Sequence, residues 1–114
     1  MISMNEENKL HFILTGGTID SYYDGTIDTA VPNEHSGIPK FIKILKLYEE
    51  CEFSEICMKD SRNLTNEDRE NICKTVSNSK AKRIIITHGT YTLPDSARYL
   101  QANIKDHNKV IIFA

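Results

Sequence analysis

Between positions 83 and 87 the chain reads Arg-Ile-Ile-Ile-Thr, and it breaks at once into His88-Gly89. Successive side chains of a strand point to opposite faces, so three consecutive isoleucines leave neither face polar. A strand of that kind fits a sheet covered on both sides, which is the habit of parallel sheets. Leu10-His11-Phe12-Ile13-Leu14 reads as a second buried strand, closed by Gly16-Gly17. Residues 53–58 (FSEICM) and 110–114 (VIIFA) supply two more.

Helical signals fall between these strands. Ser36-Gly37-Ile38-Pro39 reads as a cap with an early helical proline, followed by Phe41, Ile42, Leu45 and Tyr48 on one face. Thr65-Asn66-Glu67-Asp68 has the form of a capping box, with aspartate in place of glutamate, ahead of Ile72 and Val76. Thr92-Leu93-Pro94-Asp95 repeats the pattern before Ala97, Leu100 and Ile104. The order strand, helix, strand, helix, strand, helix, strand predicts right-handed βαβ crossovers. The expected fold class is α/β: a doubly wound, mostly parallel sheet of at least four strands in a three-layer α/β/α arrangement. Residues 19–36 are too long and polar for an ordinary βα loop. With Ser21, Tyr22, Tyr23, Asp24 and Gly25, this stretch reads either as a mobile cover over a site or as a plain excursion.

The 114 residues make one domain, able to bury roughly two-thirds of its unfolded surface. Fourteen basic and sixteen acidic residues are spread along the chain for a net charge of -2, so no basic stripe suggests nucleic acid. The first ten residues lack the positive and apolar regions of a secretory signal, and no apolar run is long enough to span a membrane. Cys51, Cys57 and Cys73 are odd in number and have no CxxC spacing, as expected of reduced cytoplasmic cysteines. His11, His35, His88 and His107 show no ligand spacing with one another or with the cysteines, so no metal or other cofactor is expected.

In an open parallel sheet, ligands bind beyond the carboxyl ends of the strands. The residues expected there are Gly16, Gly17 and Thr18, then Asp60 and Ser61, then His88, Gly89, Thr90, Tyr91 and Thr92. Hydroxyls, one carboxylate and glycine-loosened backbone would share one edge. Phosphate binding fits poorly, because there is no GxGxxG and no Walker lysine. Acyl transfer by a threonine hydroxyl fits better: such a nucleophile needs a proton acceptor, NH donors and close backbone approach. Each piece also has a plain structural reading: Gly-Gly-Thr as a tight turn, Thr65 and Thr92 as helix caps, His88 as a hydrogen-bonded structural histidine.

Taken together, TGGTI (15–19), DSRNLT (60–65) and THGTYT (87–92) resemble the three N-terminal signatures of bacterial-type L-asparaginases. The resemblance implies hydrolysis of the side-chain amide of L-asparagine, or a related small amide, through an acyl-enzyme and without a cofactor. It implies Thr18 as nucleophile and Thr90 as the second catalytic threonine. Gly17, Asp60, Ser61, Gly89 and Tyr91 would form the substrate-binding wall, with Ser61 on the α-carboxylate and Tyr22 or Tyr23 as flap tyrosine. It further implies a homodimer or higher oligomer in the cytoplasm.

Two departures stand out. Tyr91 replaces the family's aspartate, which binds the α-ammonium; losing that contact costs on the order of 1.5–3 kcal/mol. The family's lysine and its small C-terminal domain would lie beyond Ala114, leaving 1–114 as a single N-terminal-like domain. The apolar VIIFA ending reads as a truncated sequence or as a small stand-alone member that dimerises. Two further roles are compatible with such a pocket: a small-molecule binding module without chemistry, and a subunit of a larger amidohydrolase assembly.

Overall fold

The computed structural model describes residues 8–104 and 108–114. His107 and the N-terminal residues 1–7, where a secretory signal was sought, lie outside them. Strand β1 (Leu10–Gly16) passes through a 3-10 turn at Thr18–Asp20 into a hairpin of β2 (Ser21–Asp24) and β3 (Thr29–Pro32). There follow α1 (Ile38–Leu45), β4 (Cys51–Lys59), α2 (Asn66–Asn78), β5 (Arg83–Thr87), α3 (Leu93–Asn103) and β6 (Val110–Phe113). The main sheet has the order β4-β1-β5-β6, with every neighbouring pair parallel. The chain leaves β1 for β4 on one side, then returns past β1 to β5 on the other. This reversal opens a crevice at the carboxyl ends of β1 and β5.

The core lies between the sheet and the α2–α3 layer. Ile13, Ile84 and Ile86 point into it and meet Ile72, Cys73, Val76, Leu100 and Ile104. On the opposite face Phe12 stacks on Phe53 with ring centroids 5.3 Å apart, and Leu14 is buried beside them. Ile85 on that face stays half-buried. The capping box at α2 forms as expected: Thr65 Oγ1 accepts from Asp68 N at 3.1 Å, and Asp68 Oδ2 accepts from Thr65 N at 3.0 Å. Lys59 Nζ adds a 2.7 Å ion pair to the same Asp68 oxygen.

Three expectations need correction. Residues 19–36 are not a plain excursion, since 21–32 form an antiparallel hairpin. Its turn is built by Asp24, whose Oδ1 accepts from Thr26 N at 2.9 Å and from Thr26 Oγ1 at 2.6 Å. The first helix stops at Leu45, because Lys46 turns left-handed (φ 51°). Tyr48 therefore falls outside it and is fully exposed, and Phe41 and Leu45 are also exposed. Thr92 does not cap α3 through its side chain. Its hydroxyl donates instead to Ser61 O at 2.7 Å.

Candidate active site

The site is assembled by backbone contact between loops. Gly17 takes φ 88°, a conformation that side-chain-bearing residues rarely adopt. A Cβ on Gly17 would lie 2.8 Å from Gly89 N, so the turn after β1 and the turn after β5 touch directly. Gly89 in turn presses on the third loop, where an added Cβ would meet Ser61 Cβ at 2.9 Å. Two further hydrogen bonds fasten the first loop: Gly17 N donates to Lys59 O at 3.2 Å, and Ser21 Oγ donates to Gly17 O at 2.7 Å.

Above these contacts opens one pocket. Gly17, Thr18, Asp60, Ser61, Gly89, Thr90 and Tyr91 all line it, together with Ser21, Ala30 and Pro32. Thr18 and Thr90 are both exposed on its wall. Tyr22 and Tyr23 are not among the lining residues; both are exposed on β2, where the Tyr23 hydroxyl bonds Asp28. The hairpin nevertheless reaches the site through Ser21 at its base and through Ala30 and Pro32 on β3.

Asp20 secures that hairpin. Its buried carboxylate accepts from Ser36 Oγ at 2.6 Å and from Gly37 N at 3.0 Å, while its carbonyl accepts from Asn33 N at 2.8 Å. One side chain thus ties the end of β1 to the entry of α1.

The electrostatics narrow the possible roles. Asp60 is gripped by Arg62 in a fork, Nε to Oδ1 at 3.1 Å and Nη2 to Oδ2 at 2.9 Å, and Arg62 N also donates to Oδ1. These bonds hold the Asp60 carboxyl below its ordinary pKa. The Arg62 guanidinium lies over the Tyr91 ring, 4.5 Å from its centroid. His88 is buried with both nitrogens engaged, Nδ1 with Gly89 O at 2.6 Å and Nε2 with Ser96 Oγ at 2.7 Å. A carbonyl can only accept, so Nδ1 carries the proton and Nε2 accepts the Ser96 hydroxyl proton. Burial lowers the His88 pKa, and the ring is neutral at pH 7. It acts as a structural bracket. Burial also pushes the Cys57 thiol up to about 11, which removes it as a competing nucleophile. Among the described residues, no group of three or more His, Cys, Asp or Glu is placed to hold a metal ion.

A family model described as the asparaginase N-terminal domain matches residues 9–114. The chain belongs to this family. Among solved structures, the probable cytoplasmic L-asparaginase of Campylobacter jejuni superposes with a TM-score of 0.69 at 27% identity, covering 94% of this chain and 35% of that one. The thermostable L-asparaginase of Thermococcus kodakarensis gives a TM-score of 0.61 at 28% identity, over 78% of this chain and 28% of that one. The chain therefore spans about a third of the length of these relatives. No curated protein matches it by sequence.

The family membership agrees with the motif reading, and the geometry adds what that reading lacked. Ala30 and Pro32 were not anticipated, because a four-residue strand offers too few positions for its alternation to stand out. Ala30 and Pro32 sit two apart on β3, which is the spacing of a shared face. Arg62 stood inside a quoted motif, yet its grip on Asp60 becomes visible only in three dimensions.

Proposed function

We propose that this asparaginase-like domain carries the nucleophile of an amidohydrolase site and hydrolyses the side-chain amide of L-asparagine or a related small amide. The observation supporting this most directly is the pairing of exposed Thr18 and Thr90 in one pocket where two glycine turns meet. The Thr18 hydroxyl oxygen attacks the carboxamide carbon while its proton passes toward the Thr90 hydroxyl. The C–N bond then breaks, and the nitrogen leaves with that proton as ammonia. A threonyl ester remains; water attacks it, its C–O bond breaks, and the free acid and the Thr18 hydroxyl are regenerated. Ser61 holds the substrate's carboxylate from the pocket wall. His88 takes no part in proton transfer, because both its nitrogens are committed.

The domain works in the cytoplasm as a homodimer or higher oligomer. Phe41, Ile44, Leu45, Leu47 and Tyr48 are exposed apolar side chains on and just after α1, which association would cover. The Campylobacter neighbour's description as cytoplasmic is in keeping with that location. No helix among the described residues is long and apolar enough to cross a membrane.

Ammonia release from L-asparagine and from simpler amides, measured against Thr18→Ala, tests the reading. Release that disappears in the variant supports it, and equal background from both proteins rejects it.

A further inference from the structure

Among the described residues, two ionisable side chains line the pocket, Asp60 and Tyr91. The carboxylate of Asp60 is already met by the Arg62 fork, so the wall presents a neutralised ion pair in place of a free anion. The guanidinium is itself stacked over Tyr91, which makes Asp60, Arg62 and Tyr91 one continuous rim. The fork uses Nε and Nη2, so the Nη1 N–H groups lie outside it. Among the described residues, a ligand ammonium arriving at this rim would meet a guanidinium and a phenol, with no unpaired carboxylate lining the pocket to receive it. A ligand carboxylate, by contrast, meets Tyr91 and Ser61 on the pocket wall, with the positive charge of Arg62 stacked against Tyr91 beside it.

We propose that the pocket selects ω-amides of dicarboxylic acids that lack a free α-ammonium, and that the Arg62–Tyr91 stack sets this preference. The inference rests on the amidohydrolase reading and names its substrate class. Succinamate, which keeps the amide and the carboxylate of asparagine without the amino group, is the simplest such compound. Tyr91 and Arg62 act as specificity residues, leaving the attack on the amide to Thr18. Both side chains are largely exposed, so substituting either one leaves the core untouched.

The test is calorimetric titration of the full chain with succinamate, L-asparagine and the neutral amide propionamide, alongside ammonia release from each. Succinamate is expected to bind at least about tenfold more tightly than L-asparagine. Tyr91→Asp, which supplies a carboxylate, should move that ratio to parity or beyond. Arg62→Gln should weaken succinamate by about tenfold while leaving propionamide unchanged. Equal or tighter binding of L-asparagine by the unaltered chain overturns the inference, as does a ratio unmoved in both variants. If ammonia is still released in that case, the amidohydrolase reading stands and the specificity proposal alone fails. If the unaltered chain neither binds nor cleaves any of the three amides, both fall.

Discussion

Ser61 and Thr92 bond each other twice. The Ser61 hydroxyl accepts from Thr92 N at 3.2 Å, and the Thr92 hydroxyl donates to Ser61 O at 2.7 Å. The end of β4 is thereby clasped to the entry of α3 across the floor of the pocket, and a threonine that looked like a helix cap serves as a tertiary tie. Ser61→Ala removes the acceptor for a half-buried amide, which typically costs about 1–3 kcal/mol. Urea unfolding should show that loss, accompanied by weaker ligand binding. An unchanged midpoint would mean that the bond to the Ser61 hydroxyl contributes nothing.

Thr18 is exposed, so its replacement should separate chemistry from stability. Thr18→Ala is expected to unfold within about 0.5 kcal/mol of the unaltered chain and to lose roughly a thousandfold or more in turnover. Thr18→Ser keeps the hydroxyl and should retain measurable ammonia release. Mass spectrometry of rapidly quenched reactions should find the acyl adduct on the peptide containing residue 18. An adduct elsewhere would assign the nucleophile to another residue.

Asp20 binds two donors from the segment before α1. Asp20→Ala leaves the Ser36 hydroxyl and the Gly37 amide without that acceptor, at a cost of about 1–3 kcal/mol. Hydrogen exchange should then quicken in the β2–β3 hairpin and α1 while β5 keeps its protection. Uniform acceleration across the sheet would show that Asp20 supports the whole fold and not this corner alone.

Acid should act in two windows. Burial lowers the pKa of both His11 and His88 from 6.5, so the native rings resist protons that the unfolded chain accepts. Stability therefore falls as pH drops below about 6.5 toward the depressed native values. Burial alone would raise the Asp68 pKa, but hydrogen bonds from Lys59 and Thr65 hold it below 3.8. Its stabilising contribution is complete above the ordinary value and disappears as pH falls through the native one. Urea midpoints between pH 8 and pH 3 should trace both declines, and Asp68→Asn should flatten only the lower one. His35, whose pKa is raised by its hydrogen bond to Glu55, acts in the opposite direction, so a profile that stays flat between pH 7 and pH 5 in His35→Asn would contradict the neutral histidines.

The parallel sheet was legible because Ile84, Ile85 and Ile86 left a strand there no polar face, and because Thr65 and Asp68 mark a helix start locally. The site's edge followed from strand polarity alone, which sends the residues after β1, β4 and β5 to the same end. The extent of α1 was not legible: its apolar period runs on to Tyr48, and the left-handed turn at Lys46 carries no glycine to announce it. The hairpin escaped notice because its two strands are only four residues each, too short for alternation to stand out, although the Asp24–Thr26 turn that joins them is local. Thr92 misled for a different reason, since its bond to Ser61 spans 31 positions and is set by the fold.

The contact between Gly17 and Gly89 divides the pocket into two mutational zones. Its base tolerates no added carbon on either glycine, so variation there is closed to evolution and to the protein engineer alike. Its upper wall, made by Ala30, Pro32 and Tyr91 with Arg62 stacked against Tyr91, is free to change residue by residue without disturbing how the loops meet. New substrate preferences on this scaffold should accumulate in that upper wall, and a saturation library confined to those four positions would sample most of the specificities available to it.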